Sequence, residues 1–204
     1  MAELVIIPAR KGSKRLKHKN MRAFCGKPLI YWTIQHALGL REFGLFRSKE
    51  EIVVTSDWDM LLEYVSGFPV TAMKRNERLA EDDTSVYDVI KDVLKQRNMK
   101  YDTSILLLQP TSPLRVISDI SECLDIVSDS CESLCSLVEY NRAGGHIRYK
   151  RNGAIYIIET QELKKGTPEY KRAYIMPQER SIDINSEKDF KDAEDIFSEL
   201  QSGE

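Results

Sequence analysis

The amino-acid sequence predicts an α/β fold, a three-layer α/β/α sandwich around a mainly parallel sheet. Short apolar runs recur at residues 4–8, 51–56, 103–108 and 133–138, with a weaker one at 68–73. These runs are too short for helices and too continuous for half-exposed strands, so they are typical of strands buried on both faces. Amphipathic segments separate them, and this alternation of strand and helix indicates a parallel sheet covered by helices.

Local signals place the helices between these strands. Proline is favoured in the first turn of a helix, and serine, threonine or aspartate where a helix begins. On these signals and on apolar spacing, helices are expected from about residue 28, across 60–65, from 84 or 85, from 118 and across 190–200.

The last third of the chain is less regular. Asn152-Gly153 lies between the strand-like residues 147–150 and 154–158, and an Asn-Gly pair in that setting predicts a hairpin turn. Residues 181–185 are also strand-like. Because no repeat or linker is evident, residues 1–204 are expected to form a single domain.

Composition bounds the classes of function. The apolar share of 42% supplies a core, and the net charge of −2 argues against a general nucleic-acid binder. No run of about 18 apolar residues and no signal-peptide pattern occurs, so neither a membrane span nor secretion is expected. The four cysteines form no Cys-x-x-Cys pair, which indicates reduced thiols and a cytoplasmic protein.

A basic loop, residues 10–20, follows the first apolar run. Gly12 lets backbone N–H groups approach a ligand and Ser13 adds a donor, while positive charge comes from Arg10, Lys14 and Lys19. At the carboxyl end of a buried parallel strand, such a loop predicts binding of a polyphosphate. Neither a P-loop nor a dinucleotide-binding glycine motif is present, and a solvated basic surface or a nucleic-acid patch is the alternative.

Two further loops are expected at the same edge of the sheet. Residues 75–85 and 109–115 carry cations, amides, hydroxyls and prolines. The sequence has no Gly-x-Ser-x-Gly elbow and no His-Glu-x-x-His motif, which disfavours the hydrolases that use them. The cations, amides and hydroxyls of these loops can position a polyphosphate and neutralise its charge, so they favour group transfer from a polyphosphate.

Two acidic segments are candidate metal sites. Polyphosphate chemistry normally uses Mg²⁺, whose ligands are hard oxygens. Asp183 and Asn185 are two residues apart in a strand-like segment, so both can offer oxygens on one side, although a polar pair on an exposed strand face is the competing interpretation. Asp57 and Asp59 form a second pair, but acidic residues at the start of a helix are more typical of capping and dipole compensation.

Taken together, five segments resemble the acylneuraminate cytidylyltransferases, also called CMP-sialic acid synthetases. They occur in the family's order, at residues 8–14 with Lys19-Asn20, 75–85, 107–115, 152–156 and 181–184. The string Gln-Pro-Thr-Ser-Pro-Leu-Arg at residues 109–115 is the most specific, and it differs from the loop of the related Kdo cytidylyltransferases. The resemblance implies a Rossmann-like nucleotidyltransferase sheet.

The resemblance also implies an activity and a set of site residues. The reaction would transfer CMP from CTP to the anomeric hydroxyl of a sialic-acid-like nonulosonic acid, with release of pyrophosphate, in cell-surface glycan synthesis. Arg10, Lys14 and Lys19 would hold the triphosphate, Gln109 would face the sugar, and Asp183 would hold Mg²⁺. The remaining nucleotide-binding positions would be Ala9, Gly12, Ser13, Asn20, Arg75, Ala80 and Ser85.

The chain departs from the family pattern in two places. Asn185 stands where the family usually has a second aspartate, and its amide oxygen can coordinate Mg²⁺ but brings no charge. The family's dimerisation and sugar-binding insertion is reduced here to residues 139–151, in which Lys150 and Arg151 replace the usual arginine and proline. A homodimer weakened or altered by this short segment is expected.

These departures leave two alternatives open. The short segment favours a cytidylyltransferase that acts on a different sugar acid or on a small acidic alcohol. The amide at Asn185 favours a catalytically weak nucleotide-binding protein with a scaffolding or regulatory role.

Overall fold

The computed structural model describes residues 2–13, 15–44, 52–81, 83–143 and 146–202, so Lys14 lies outside the described residues. The described residues form nine strands: β1 (Leu4–Pro8), β2 (Ala23–Phe24), β3 (Lys27–Pro28), β4 (Ile52–Ser56), β5 (Thr71–Lys74), β6 (Ser104–Leu108), β7 (Ser133–Ala143), β8 (His146–Glu159) and β9 (Tyr170–Ile175). They also form six α-helices: α1 (Leu29–Glu42), α2 (Asp59–Ser66), α3 (Val86–Gln96), α4 (Ile117–Ile126), α5 (Thr160–Leu163) and α6 (Glu187–Ser202).

Seven strands of the described chain form one sheet in the order β5-β4-β1-β6-β8-β7-β9. Parallel pairs join β5 to β4, β4 to β1, β1 to β6 and β7 to β9, whereas β8 runs antiparallel to both β6 and β7. Every residue of β4 is buried, as are nearly all residues of β1 and β6. These strands are covered on both faces, which confirms the mainly parallel sheet predicted from their continuous apolar runs.

Helices cover both faces of the sheet. Successive residues of a strand point to opposite faces. Val5 and Ile7 accordingly pack in one core with α1, α2 and α4, while Leu4 and Ile6 pack in another with α3 and α5. The two cores on either side of β1 confirm the predicted three-layer sandwich. None of the helices in the described chain combines the length and apolarity needed to cross a membrane.

A third, smaller core holds α6 against the region that follows β1. Phe24 is fully buried and its ring meets those of Phe190 and Phe197 edge-on, each at a centroid distance of 5.6 Å. Leu16 of the basic loop and Ile184 ahead of α6 belong to the same core. Because Leu16 and Ile184 pack together, the basic loop and the residues around Ile184 are brought to one place.

The predicted hairpin turn at Asn152-Gly153 is wrong, because β8 continues through both residues. Gly153 adopts a φ of 78° inside the strand, where the pairing of β7 with β8 shifts register around Ser136. The Ser136 hydroxyl fills the irregularity, since its Oγ donates to Asn152 Oδ1 (2.6 Å) and accepts the N–H of Ile155 (2.9 Å). The positive φ therefore serves a bulge in a strand rather than a turn.

Two other predicted strands also differ. The short strand expected at residues 68–73 is Thr71–Lys74. Residues 181–185 belong to no strand, and the Ile184 N–H donates to Thr111 O (2.8 Å) in the loop after β6. The segment therefore lies across the carboxyl end of β6 instead of pairing beside a strand.

The predicted starts of α1, α2, α3 and α4 agree with the structure to within about two residues, the usual uncertainty of a helix end. Helix α6 begins three residues before the predicted range, and the short helix α5 was not predicted. Helix α1 begins directly after Pro28, and α4 begins at Ile117. Ser85 is the N-cap of α3, where its hydroxyl accepts the Tyr87 N–H at 3.2 Å.

Candidate active site

Loops after β1, β5 and β6 and the segment before α6 enclose a cleft of about 280 Å³ at the carboxyl edge of the sheet. Nine residues predicted for the site line this cleft, which we call the nucleotide cleft after its predicted ligand: Arg10, Gly12, Ser13, Lys19, Asn20, Arg75, Gln109, Asp183 and Asn185. Their stretches of chain lie far apart in sequence. They meet because the carboxyl ends of β1, β4, β5 and β6 lie at one edge, where sheets of this kind bind ligands.

Three other predicted positions surround the nucleotide cleft instead of lining it. Ala9 is fully buried behind the cleft. The Ala80 carbonyl accepts a long hydrogen bond from Arg10 Nη1 at 3.5 Å. Ser85 uses its hydroxyl for the N-cap of α3, as described above. The backbone of these residues shapes the cleft, and Lys14 falls outside the part of the chain that the structure describes.

The basic loop is held by hydrogen bonds at both ends. The largely buried Asn20 donates from Nδ2 to Arg10 O at 2.9 Å, and this bond closes the loop. The Lys11 N–H donates to Asp57 Oδ1 at 2.8 Å. Between these points a Cβ on Gly12 would meet nothing within 4 Å, so the loop backbone is open to a ligand.

The acidic pair Asp57 and Asp59 is engaged by nitrogen groups. Asp59 lies in the first turn of α2, which agrees with the dipole interpretation, and it pairs with Lys74 Nζ at 2.5 Å. The predicted capping is wrong, because Trp58 is the N-cap of α2 and no side chain caps the helix. Asp57 precedes the helix and accepts the Lys11 N–H, so it positions the basic loop. Sequence reasoning missed this second role, because the two residues are 46 positions apart.

Arg75 lies in the wall of the nucleotide cleft and is only 4% exposed. Its Nη2 donates to Thr55 O at 2.9 Å, and its backbone N–H donates to Ser56 O at 2.7 Å. Burial lowers the pKa of the guanidinium to about 10, although the nearby Asp57 carboxylate acts in the opposite direction. Its Nε is buried without a partner among the described residues, so a donor remains for a ligand.

Lys19 joins the basic loop to the segment before α6. Its Nζ donates to Ile184 O at 2.7 Å and to Asn185 Oδ1 at 3.3 Å. Burial lowers the pKa of the ammonium, and the Asp183 carboxylate opposes this shift. The ammonium therefore lies at the junction between the cationic loop and the acidic segment.

Asp183 and Gln109 lie side by side next to Gly153. A Cβ on Gly153 would be 3.5 Å from Gln109 Oε1 and 3.7 Å from the Asp183 carboxylate. Asp183 Oδ2 accepts a hydrogen bond from Asn185 Nδ2 at 2.6 Å. Asp183 Oδ1 is buried and has no hydrogen-bond partner in the described chain. One carboxylate oxygen is thus left for a ligand.

Arg115 is the internal support of the loop after β6. The side chain is almost fully buried and donates to Ala154 O (2.7 Å), Thr33 Oγ1 (2.6 Å) and Gln109 O (2.9 Å). Burial lowers the pKa of its guanidinium to about 9. Arg115 therefore positions the Gln109 backbone from behind and does not line the nucleotide cleft.

An ion pair between the buried Asp119 and the partly exposed Arg180, which sequence reasoning missed, supports the turn before Asp183. Asp119 is fully buried and accepts two bonds from Arg180, at 3.0 Å from Nε and 2.8 Å from Nη2. It also accepts the Tyr174 hydroxyl at 2.8 Å. These bonds attach the turn at Gln178–Arg180 to α4, only three positions before Asp183.

Asn152 holds the next part of the same segment. Its Nδ2 donates to Ser181 Oγ at 3.0 Å, while its Oδ1 accepts the Ser136 hydroxyl at 2.6 Å. The Asn-Gly pair thus serves the site, since Asn152 anchors Ser181 and Gly153 lies beside Gln109 and Asp183. The sequence signal was present in this pair, but it pointed to a turn.

A second cleft of about 570 Å³ adjoins the first and shares Asp183 and Asn185 with it. We call it the acceptor cleft, after the role that we propose for it. Arg15, Lys150 and Arg151 contribute positive charge to its lining, and Glu139, Asp183 and Asp189 contribute negative charge. Its outer wall includes residues 138–140 of β7 and 150–152 of β8, so residues 139–151, the shortened segment, reach this cleft.

The sheet order, with a basic glycine-containing loop after its central strand, defines a nucleotidyltransferase-type α/β fold. The chain belongs to the cytidylyltransferase family, whose pattern matches residues 4–196. This match covers all the loops that line the nucleotide cleft.

Three bacterial relatives are sugar-acid cytidylyltransferases by name. The chain is 31% identical to an N-acylneuraminate cytidylyltransferase of Escherichia coli, over 92% of this chain and 50% of that protein. It is 39% identical to a CMP-N,N'-diacetyllegionaminic acid synthase of Legionella pneumophila, over 67% of this chain and 58% of that protein. It is 28% identical to a pseudaminic acid cytidylyltransferase of Campylobacter jejuni, over 85% of this chain and 75% of that protein. The chain spans about half the length of the N-acylneuraminate relatives.

Solved structures share the fold at low identity. A CMP:2-keto-3-deoxy-manno-octonic acid synthetase complexed with CTP has a TM-score of 0.74 and 16% identity, and covers 98% of this chain and 100% of its own. A 4-diphosphocytidyl-2C-methyl-D-erythritol synthase has a TM-score of 0.67 and 12% identity, and the match covers 97% of this chain and 100% of that one. At these identities the similarity establishes the architecture alone.

Proposed function

We propose that this chain transfers CMP from CTP to the anomeric hydroxyl of a sialic-acid-like nonulosonic acid and releases pyrophosphate. The observation that carries the proposal is the nucleotide cleft, which brings Arg10 and Lys19 together with Gln109 and Asp183. The names of the relatives support the substrate class, because N-acylneuraminic, legionaminic and pseudaminic acids are all nonulosonic acids.

In the proposed reaction the protein positions the two substrates and neutralises the charge of the phosphates. An acceptor oxygen forms a bond to the α-phosphorus of CTP while the bond from that phosphorus to the pyrophosphate oxygen breaks, and the hydroxyl proton passes to solvent. Arg10, Lys14 and Lys19 would neutralise the triphosphate and the charge that builds on the leaving pyrophosphate. The open backbone at Gly12 and the hydroxyl of Ser13 would add donors to the phosphates.

Arg75 and Asn20 are the proposed side chains around the cytidine. Both line the nucleotide cleft, and both already use part of their donor capacity to hold the backbone. The unpartnered Nε of Arg75 supports a direct hydrogen bond to the nucleotide. Ala80 and Ser85 would border the cytidine through the backbone and through the start of α3.

The residues present fit Mg²⁺ bound through one protein carboxylate. Asp183 lines the nucleotide cleft, and its Oδ1 is a hard oxygen that is buried without a hydrogen-bond partner among the described residues. No cluster of three or more His, Cys, Asp or Glu side chains able to hold a metal occurs among the described residues. Mg²⁺ commonly takes one or two carboxylates and completes its shell with phosphate oxygens and water. We therefore propose that Asp183 holds Mg²⁺, which would neutralise phosphate charge.

The acceptor cleft is the proposed site of the sugar acid. It adjoins the nucleotide cleft at Asp183, so an acceptor bound there would have its hydroxyl beside the α-phosphate. Lys150 and Arg15 would pair with the carboxylate that every nonulosonic acid carries. Gln109, at the boundary with Asp183, would hydrogen-bond the sugar.

The outer part of the β7–β8 hairpin is the proposed contact between two copies. The described residues of the segment 139–151 lie in this part, in which Tyr140 is 51% exposed and Tyr149 is 40% exposed. We propose a homodimer through these residues and a cytoplasmic location, where CTP is available. Light scattering on the wild-type chain and on a Tyr140→Ser/Tyr149→Ser variant tests the dimer, and a mass equal to one chain for the wild type would contradict it.

Pyrophosphate release tests the proposed reaction. The chain is incubated with CTP, Mg²⁺ and a panel of N-acetylneuraminic, legionaminic and pseudaminic acids, and the CMP-sugar is identified by mass spectrometry. We expect turnover with at least one of the three acids. Turnover only with Kdo or with a small acidic alcohol would favour the alternative acceptor class, while CTP binding without any turnover would favour the weak nucleotide-binding protein.

A further inference from the structure

The amide of Asn185 lies between two groups of opposite charge. Its Oδ1 accepts a hydrogen bond from Lys19 Nζ at 3.3 Å, and its Nδ2 donates to Asp183 Oδ2 at 2.6 Å. An ammonium offers only donors and an ionised carboxylate only acceptors, so the amide oxygen must face Lys19 and the amide nitrogen must face Asp183. Neither an aspartate nor an alanine at position 185 can make both contacts.

This bridge determines which oxygen of Asp183 is available. The bond from Asn185 occupies Oδ2, and a contact between Asn185 Nδ2 and Asp183 O at 3.4 Å keeps the two residues close. The other oxygen, Oδ1, is buried without a partner among the described residues. A carboxylate held at one oxygen presents the other in a single orientation.

We propose that Asn185 is a positioning residue that orients Asp183 by bridging the Lys19 ammonium and the Asp183 carboxylate. Asp183 is then oriented before any metal binds, and Asn185 Oδ1 accepts a hydrogen bond from Lys19 instead of coordinating the metal. The proposal deepens the proposed function, and it rests on that function in assigning Asp183 to the metal of the nucleotide.

The main chain around Asn185 is fixed independently of its side chain. Lys19 Nζ donates to Ile184 O at 2.7 Å, and Ile184 N donates to Thr111 O at 2.8 Å. The Asn185 N–H donates to Asp189 Oδ2 at 2.9 Å. Because backbone groups and the buried Ile184 side chain hold the segment, changes of the 185 side chain are expected to leave the fold intact.

A carboxylate at position 185 should make the stability of the protein depend on Mg²⁺. Asn185→Asp replaces the donor nitrogen by an oxygen at the place where Asp183 Oδ2 lies 2.6 Å away. Two carboxylates so close repel each other unless a cation lies between them. The stability of this variant should therefore depend on Mg²⁺ even without nucleotide, whereas that of the wild type should not.

Thermal unfolding without CTP or acceptor tests the inference on wild type, Asn185→Asp, Asn185→Ala and Gln161→Glu. The last variant adds the same formal charge at the exposed Gln161 of α5, far along the chain, and serves as the control. In EDTA we expect the melting temperature of Asn185→Asp to be about 4–8 °C below that of the wild type. At 10 mM Mg²⁺ it should recover at least half of this difference, while wild type and Gln161→Glu change by less than about 1 °C.

Turnover provides the second measurement. Asn185→Ala should lower kcat by about 10-fold or more and raise the Mg²⁺ concentration for half-maximal rate, because Asp183 loses its fixed orientation. A melting temperature of Asn185→Asp that does not respond to Mg²⁺, or wild-type kinetics in Asn185→Ala, would overturn the inference. The melting measurements involve no substrate, so they also separate its failure from failure of the proposed reaction.

Discussion

Gly153→Ala probes the contact between the strand β8 and the two clefts. Gly153 has a φ of 78°, and its Cα faces Gln109 and the Asp183 carboxylate. An alanine methyl would lie 3.5 Å from Gln109 Oε1 and 3.7 Å from the carboxylate, which is ordinary van der Waals contact. The methyl fits the space, so the cost arises in the backbone.

The magnitude follows from the backbone conformation. Alanine in a left-handed conformation costs about 1–2 kcal/mol. A lower entropy of the unfolded chain offsets about 0.4–1 kcal/mol of this cost. The net loss of about 1 kcal/mol should lower the melting temperature of a 204-residue chain by about 2–4 °C. Relaxation of the strained φ would also move the wall beside Gln109 and Asp183, and misplacement by about 1 Å costs up to about 100-fold in rate.

Gly26→Ala is the matched control. Gly26 has a φ of 80°, nearly that of Gly153, but a methyl there would meet nothing within 4 Å. Both variants should therefore lose similar stability in urea or thermal unfolding, while only Gly153→Ala should lose turnover, by about 10- to 100-fold. Wild-type kcat in Gly153→Ala, or an equal loss of kcat in Gly26→Ala, would refute the reasoning.

Three further predictions concern other parts of the site. Arg10→Ala should lower kcat/KM for CTP by about 100-fold with little change in melting temperature. The control Lys95→Ala, at an exposed position, should change neither quantity. Equal losses of rate and stability in Arg10→Ala would indicate a structural role for Arg10. Arg115→Met leaves three buried acceptors without their donor and should lower the free energy of unfolding by about 3 kcal/mol in urea; an unchanged midpoint would contradict the supporting role. Ser85→Ala should lower the free energy of unfolding by about 1 kcal/mol, whereas Ser85→Asp should keep the wild-type stability because aspartate also caps helices. Similar urea midpoints for the two variants would argue against the cap.

Much of the fold was predictable because its signals are local. The continuous apolar runs of β1, β4 and β6 indicate strands buried on both faces wherever they occur in a chain. Parallel strands direct their carboxyl ends to one edge, so the meeting of the basic loop with the loop after β6 also followed from the sequence. The position of Asn152-Gly153 was not predictable in this way, because the pair suits a hairpin turn and a strand bulge equally well until its neighbours are known.

The sequence by itself determined the α/β class and the basic loop after the first strand, because these features depend on burial patterns and residue chemistry over a few neighbouring positions. Its resemblance to a known family indicated further residues that line the nucleotide cleft, such as Arg75 and Gln109. Only the tertiary structure decided the partners of the polar groups: Asp57 with the Lys11 N–H, and Asn185 between Asp183 and Lys19, which is 166 positions away. The physical reason is that a buried polar group must find its hydrogen bond wherever the folded chain brings a partner, and sequence distance does not restrict that choice.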